Sequence, residues 1–402
     1  MESSHIPDDV RKVLEEARRN TQPRKHHIVP KSYLERWSVD GVVRVHLLDE
    51  GRSFLTKPAK AARETDYYSA ASDDLDPEDV PPMIFETILS RVEGAAVAAI
   101  DGILELPSRV DLQARVVLAT FMAFQRARGH RQRLIIRATA HFTTKLMTQG
   151  WSEEQIRARL AEIQPDVTDA DVGSTQKLLD ELHRDEVQVM PQDAQAISMA
   201  FSAAELTGGL LFTRPWVIAS TPTSLITTDE PVHPIPGPGY PRNETGGLGH
   251  AGIVVFPLSP DRLLLAIRPD LADLLGLSRD LERLDTTDLD FAETFSVCKE
   301  LLMGATRWAF ERSDRKVASN MNVPAKPDDL STDEFFSIDD DGTSIIRFYS
   351  HNRWKNADLI PEWPLSGFWP RGWRANPPPR DLMALYEEKR KEAVERMRHS
   401  GA

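Results

Sequence analysis

Two adjacent histidines stand in the string Lys25-His26-His27-Ile28-Val29-Pro30. A neutral imidazole near pH 7 can take a proton from water, and a divalent cation held beside it can stabilise the charge that develops on a phosphate. His27 is the candidate base and His26 a candidate metal ligand. Neighbours on an extended strand point to opposite faces, so only one of the two lines a given pocket. A second set lies in Phe121-Met122-Ala123-Phe124-Gln125-Arg126-Ala127-Arg128. Gln125 and Arg128 are three apart and share a helix face, and a guanidinium fork matches phosphate oxygens. The bland alternative for this pair is a buried polar brace. A third candidate is Asp229, where the strand-like run Leu225-Ile226-Thr227-Thr228 ends before Glu230-Pro231. A rigid element fixes a carboxylate there, which makes Asp229 a candidate catalytic group and metal ligand; an Asp before an X-Pro bond is equally good turn chemistry. Glu86 and Glu93, seven apart, either add oxygen ligands or form a solvated acidic face.

The elements that must position these groups follow from periodicity. Apolar residues at three- and four-residue spacing predict helices over 7–20, 83–104, 110–148, 152–163, 174–186, 193–208, 269–277, 287–313 and 381–398. Gly129 is placed to kink the longest of them. Residues 42–48 and 53–55 read as a hairpin about Asp49-Glu50-Gly51, and 216–220, 225–228, 253–256, 263–267 and 343–350 read as strands. Acidic stretches at 71–82 and 328–341 and the Gly/Pro-rich 236–249 read as loops, where His233 and His250 are expected to be exposed. Helix-rich runs without regular strand alternation predict an α+β fold, a mostly helical body with a small mixed or antiparallel sheet. The organisation expected is an N-terminal helical arm (1–23), an α+β core (24–312), then an acidic loop, a Trp/Pro-rich strap and a C-terminal helix (313–402).

The 402 residues carry 49 basic and 62 acidic side chains, a formal charge of −13, with 41% apolar residues. That composition excludes collagen, disulfide scaffolds and a wholly disordered chain. The lone Cys298, in Phe295-Ser296-Val297-Cys298, is expected in the core. No signal pattern opens the chain and no apolar run reaches about 18 residues, so the expectation is a cytoplasmic protein without a membrane partner. Net acidity argues against a general affinity for nucleic acid. Yet residues 114–137 hold Arg115, Arg126, Arg128, Arg131, Arg133 and Arg137 and no acid, so a local phosphate site is compatible with the total.

The motifs also occur together in order. Lys25-His26-His27-Ile28-Val29-Pro30-Lys31-Ser32-Tyr33-Leu34, Glu64-Thr65-Asp66-Tyr67-Tyr68, Glu86 and Glu93, Gln125 with Arg128, Thr227-Thr228-Asp229-Glu230-Pro231 and Phe256-Pro257-Leu258-Ser259 are similar to the pattern of domain-of-unknown-function family 4238 over about residues 24–312. Thr228 stands where that family usually has Ser. The resemblance implies which residues matter and no settled activity. The His-His-x-x-Pro string by itself also resembles the opening of HNH-type nucleases, although no Asn lies between Asn20 and Asn243 to complete that pattern.

Two functions are therefore expected. One is a metal-assisted phosphodiesterase or nuclease, a toxin or defence effector, acting on nucleic acid or nucleotide with a divalent cation. The alternative is a non-catalytic binding or regulatory protein that recognises an anionic ligand or a protein partner. Catalysis requires His26 or His27 together with Gln125, Arg128 and Asp229 within about one substrate's width and open to solvent, whereas a brace requires them buried and bonded to one another.

Overall fold

The computed structural model describes residues 8–19, 25–65, 67, 81, 83–189, 191, 193–237, 248–249, 251–321, 332–338, 344–350 and 365–370. α1 (Asp8–Arg19) precedes β1 (Lys25–His27), the short α2 (Lys31–Leu34), the hairpin β2 (Val43–Leu47) and β3 (Arg52–Thr56), and β4 (Arg63–Thr65). A helical run follows: α3 (Ile84–Glu105), α4 (Leu112–Ala127), α5 (His130–Thr148), α6 (Glu153–Ala161), α7 (Asp169–His183) and α8 (Asp193–Thr213). Next come β5 (Trp216–Ser220), β6 (Thr227–Thr228), β7 (His233–Pro236), β8 (Ala251–Ser259), β9 (Arg262–Ile267), α9 (Pro269–Leu274), β10 (Asp285–Asp288), α10 (Phe291–Gly304) and β11 (Trp308–Arg312). β12 (Thr332–Ile338) and β13 (Ser344–Ser350) form a separate hairpin. The fold is α+β.

The central sheet runs β10-β5-β9-β8-β7, antiparallel except for the β10–β5 pair. All nine residues of β8 are buried, as the unbroken apolar run Ile253-Val254-Val255-Phe256 requires of a strand covered on both faces. Its alternation divides the core. Val254 and Phe256 pack with Leu89 and Ala96 of α3 and Leu118 and Phe121 of α4. Ile253 and Val255 pack with Leu271 of α9 and with Val297, Cys298 and Leu301 of α10. Cys298 lies in that core as expected, and burial pushes its thiol up to about 12. A second sheet, β3-β2-β11-β6, joins the N-terminal hairpin to the strands near Asp229.

Several elements depart from their sequence reading. α7 starts at Asp169 rather than 174, because Thr168 and Asp171 form a reciprocal capping box. The expected helix over 287–313 is α10 followed by β11: Asp290 and Glu293 cap its start, and after Gly304 the chain turns out to pair with β2. The acidic stretch 328–341, read as a loop, contains β12, paired with β13 from Thr332↔Ser350 to Ile338↔Ser344. His250, Trp354, Trp363, Trp373 and the expected helix at 381–398 lie outside the described residues. Trp369 packs against the α10 side of the core.

The helix expected over 110–148 is broken into α4 and α5 at Arg128-Gly129. Gly129 has ordinary dihedrals (φ −66°, ψ 154°), so the break does not come from positive φ. Its role is space: a Cβ there would stand 2.2 Å from Glu230 Oε1. The Glu230 carboxylate, buried, accepts the Arg131 backbone N–H at 3.1 Å, which caps the N-terminus of α5 from a segment 99 residues away. Gly129→Ala is therefore expected to destabilise the protein by about 1–3 kcal/mol, the range for overpacking with loss of a buried hydrogen bond. Gly173→Ala, where a Cβ on exposed α7 meets nothing within 4 Å, should stabilise by up to about 1 kcal/mol. Urea midpoints of the two variants check the pair.

Candidate functional site

β1 and β4 form a two-stranded ribbon in which His27 faces Arg63 and His26 faces Glu64. Directly opposed residues share a face and successive residues alternate, so the two histidines serve opposite sides. His26 is buried, on the side of Glu64. Glu64 in turn accepts from Arg307 at 3.2 Å and is bonded to His130 at 2.9 Å. Burial opposes the charge of Glu64, but these two partners outweigh it and hold the carboxyl below its usual range.

The His27 side is the more chemical one. Burial, then the charges of Arg63, Arg128 and Lys31, lower the His27 pKa to about 4. Its Nε2 lies 3.3 Å from the Ala59 carbonyl oxygen. A carbonyl can only accept, so Nε2 carries the proton and Nδ1 the lone pair. His27 is thus neutral at pH 7 with a defined acceptor nitrogen.

Gln125 and Arg128 reach the same side from the last turn of α4. Arg128 Nε donates to Gln125 Oε1 at 3.2 Å, and Nη1 to Glu93 Oε1 of α3 at 2.6 Å. Both side chains are buried, yet Gln125 Nε2 and Arg128 Nη2 meet no hydrogen-bond acceptor among the described residues. The bond to Arg128 fixes which end of the Gln125 amide is oxygen, so the unmatched atom is a true donor. Glu86, one helix turn pair before Glu93, is held near neutrality: burial and then the Glu93 charge raise its pKa to about 7, against Arg128 and Arg63. The acidic pair is therefore half-buried and tied into the arginine field rather than a solvated face.

Asp229 lies elsewhere. Its Oδ1 accepts from Thr306 N at 2.8 Å, and its Oδ2 from Arg307 N at 2.6 Å and Trp308 N at 3.2 Å. The carboxylate thus fixes the turn from α10 into β11. A metal held by His26 and Asp229 would have to compete with those three backbone donors, and among the described residues no three His, Cys, Asp or Glu side chains gather as a metal ligand set. His233, expected to be exposed, is buried in β7, 3.7 Å from Glu300 and pressed against Gly304, where a Cβ would stand 2.2 Å from its Nδ1.

The arginine-rich segment also turns inward. Arg115 donates to the Phe212, Leu281 and Arg214 carbonyls and lies over Trp216. Arg126 donates to the Val232 carbonyl, Arg128 to Glu93, and Arg133 to the Tyr67 carbonyl. These four brace the fold instead of presenting a basic surface. Arg63, Glu230 and His130 carry no signal at the spacing of a motif and were not singled out by sequence.

The motifs converge through Tyr33. Its hydroxyl donates to the Pro257 carbonyl at 2.7 Å and accepts from Thr227 Oγ1 at 2.9 Å, and its ring stacks on Phe256 at 5.4 Å. Three of the segments that match the family pattern are thus tied to one another. The chain belongs to the family described as Protein of unknown function (DUF4238), whose model matches residues 25–322. No curated protein and no solved structure matches it. The matched region holds every residue of the site and ends before β12.

Asp229→Asn is expected to lower stability by about 2–4 kcal/mol, since it weakens charge-assisted bonds to three backbone donors. The variant that remains folded should keep whatever ligand affinity the wild type has. Chemical denaturation together with a ligand titration below the transition checks both parts.

Proposed function

We propose that the chain recognises a small phosphate ester at the junction of β1, α3 and α4, where a flanking acid and base would allow hydrolysis of its phosphodiester bond. The observation that carries this reading is the pair of buried donors without acceptors, Gln125 Nε2 and Arg128 Nη2. A buried donor left unmade costs about 1–3 kcal/mol. Two of them, on side chains joined by the Arg128 Nε–Gln125 Oε1 bond and in the positive field of Arg63 and Arg128 that His27 registers, suit the oxygens of a tetrahedral anion.

The flanking groups supply proton transfer. Glu86, near pKa 7, is half protonated at neutral pH and can give a proton to the leaving oxygen. His27 Nδ1, neutral above about pH 4, can take one from water. A divalent cation would supply neutralisation of the phosphate charge, although among the described residues no three His, Cys, Asp or Glu side chains gather to hold one. The inward arginines favour a nucleotide-sized ester over polymeric nucleic acid. A cytoplasmic location goes with this reading, as does a role as a toxin or defence effector.

One observation favours a second reading. The Gln125–Arg128–Glu93 chain is bonded and buried and Asp229 stands apart from it, which meets the condition for a brace rather than for an open catalytic set, as in a protein that holds an anion without cleaving it. Incubation with dinucleotides, cyclic nucleotides and bis-p-nitrophenyl phosphate, with and without Mg²⁺ or Mn²⁺, separates the two. Hydrolysis is expected, reduced at least about 100-fold in Arg128→Ala, the size of one lost oxyanion donor. Its rate should fall as pH rises through about 7, where Glu86 gives up its proton, and this limb should vanish in Glu86→Gln. Binding without turnover would establish the second reading. Turnover unchanged in Arg128→Ala would overturn both.

The same shift acts on stability. Glu86 binds its proton more tightly folded (about 7) than unfolded (4.5), so its contribution is full below pH 4.5 and is lost as pH rises to about 7. Glu86→Gln should be more stable relative to wild type at pH 7.5 than at pH 4.5.

A further inference from the structure

α8 is apolar on every side. A helix of that kind is normally wrapped in protein, yet only 29% of its most apolar stretch is buried. One side packs on α4, where a Cβ at Gly208 would meet Ala123 at 3.7 Å and the Phe201 ring lies 4.9 Å from Phe124. The other side carries Met199, Ser202, Leu206, Gly209 and Thr213, all exposed. They follow in alternating steps of three and four, the repeat by which one helix meets another.

This face is ready to be covered. None of the exposed residues described on α8 is charged. Its hydroxyls turn back on their own helix: Ser202 Oγ donates to the Ser198 carbonyl at 2.9 Å, and Thr213 Oγ1 to the Leu210 carbonyl at 3.2 Å. Those donors are met before any partner arrives, so taking them out of water costs little. A charged partner finds no complement here; a second neutral, apolar surface does.

A protrusion and a hollow also stand side by side. Leu206 is 72% exposed. One turn further on, Gly209 borders a pocket of about 500 Å³ lined as well by Thr120, Phe124 and Phe212. A Cβ at Gly209 would meet nothing within 4 Å. A two-fold pair requires each copy to offer both halves of the contact. An axis crossing α8 midway between Leu206 and Gly209 sets Leu206 of each copy against Gly209 of the other, and Ser202 against Thr213. The size suffices. The 19 residues from Gln195 to Thr213 span about 28 Å, and with α4 alongside at about 9 Å the face is roughly 20 Å wide. Leu112 and Val116 of α4, 47% and 44% exposed, extend its apolar character. The footprint is on the order of 500 Å² per copy, near the lower bound for a specific pair.

We propose that this face joins two copies of the chain, α8 antiparallel to α8, with Leu206 of each seated in the α4–α8 pocket of the other. The inference is independent of the oxyanion reading of the polar site.

Sedimentation velocity of the full chain tests this between about 1 and 100 μM, the range in which an interface of this size is expected to associate. The wild type is expected to be a reversible dimer. Leu206→Asp, which places a charge at both symmetry-related contacts, should raise the dimer Kd at least about 100-fold. Its thermal midpoint at low concentration should match the wild-type monomer, since the side chain is exposed there. Gly209→Leu fills the hollow while adding apolar surface and helix propensity, so it separates a fitted contact from general stickiness. It should weaken the dimer as strongly as Leu206→Asp. A wild type monomeric throughout the range, a dimer kept by both variants, or a dimer tightened by Gly209→Leu would overturn the inference. So would a monomer that floats with phosphatidylcholine vesicles and loses them in Leu206→Asp, which would make the face a lipid contact.

Discussion

A buried carboxylate pressed against a glycine decides where the polar site forms. Glu230 occupies the space a side chain at position 129 would need, and its bond to the Arg131 N–H starts a new helix there. Without that interruption, the apolar period would carry one helix from Leu112 to Thr148. With it, Gln125 and Arg128 end α4 facing α3, while His130 starts α5 facing Glu64. Burial and the neighbouring Asp229 raise the Glu230 pKa to about 7, against the positive charges of Arg126 and Arg131. The joint is thus an acid close to neutrality inside an arginine-rich turn, a combination that a fold tolerates because both the helix N-terminus and the arginines favour negative charge there.

Around this joint, the structure uses long-range polar bonds as fasteners. Asp229 fixes the turn into β11, which completes the sheet carrying the N-terminal hairpin. Tyr33 ties α2 to β6 and β8, and Trp37 donates to the Leu225 carbonyl at 3.0 Å. These bonds hold the β1–β4 ribbon over the ends of α3 and α4. The ribbon then sorts its residues by alternation: His27 and Arg63 to the side of Gln125 and Arg128, His26 and Glu64 to the side of His130.

Much of this was legible in local pattern. The 3.6-residue period placed the helices, and the i, i+3 spacing brought Gln125 and Arg128 together, which they are. Glu86 and Glu93 were visible as acids on one face, but their partner was not, because Arg128 arrives from another helix. The break at Gly129 was hidden for the same reason: its cause lies about a hundred residues away at Glu230. β11 was read as helix because Trp308, Ala309 and Phe310 extend the apolar run of α10, and only pairing with β2 resolves a short apolar segment as strand. Asp229 was recognised from its place at a strand end; its function as the acceptor for three backbone donors could not be seen without the turn it fastens. Arg63 sits in a three-residue strand, too short to show any period at all.

On the proposed reading, the two buried donors Gln125 Nε2 and Arg128 Nη2 are completed by the oxygens of an anion. A crystal structure of the full chain grown with orthophosphate, or with vanadate as its tetrahedral analogue, tests this most directly. One anion is expected with oxygens about 2.7–3.0 Å from both atoms, within reach of His27 Nδ1 and Glu86. Both donors satisfied by ordered water or by a protein carbonyl, with the anion bound elsewhere or not at all, would contradict it.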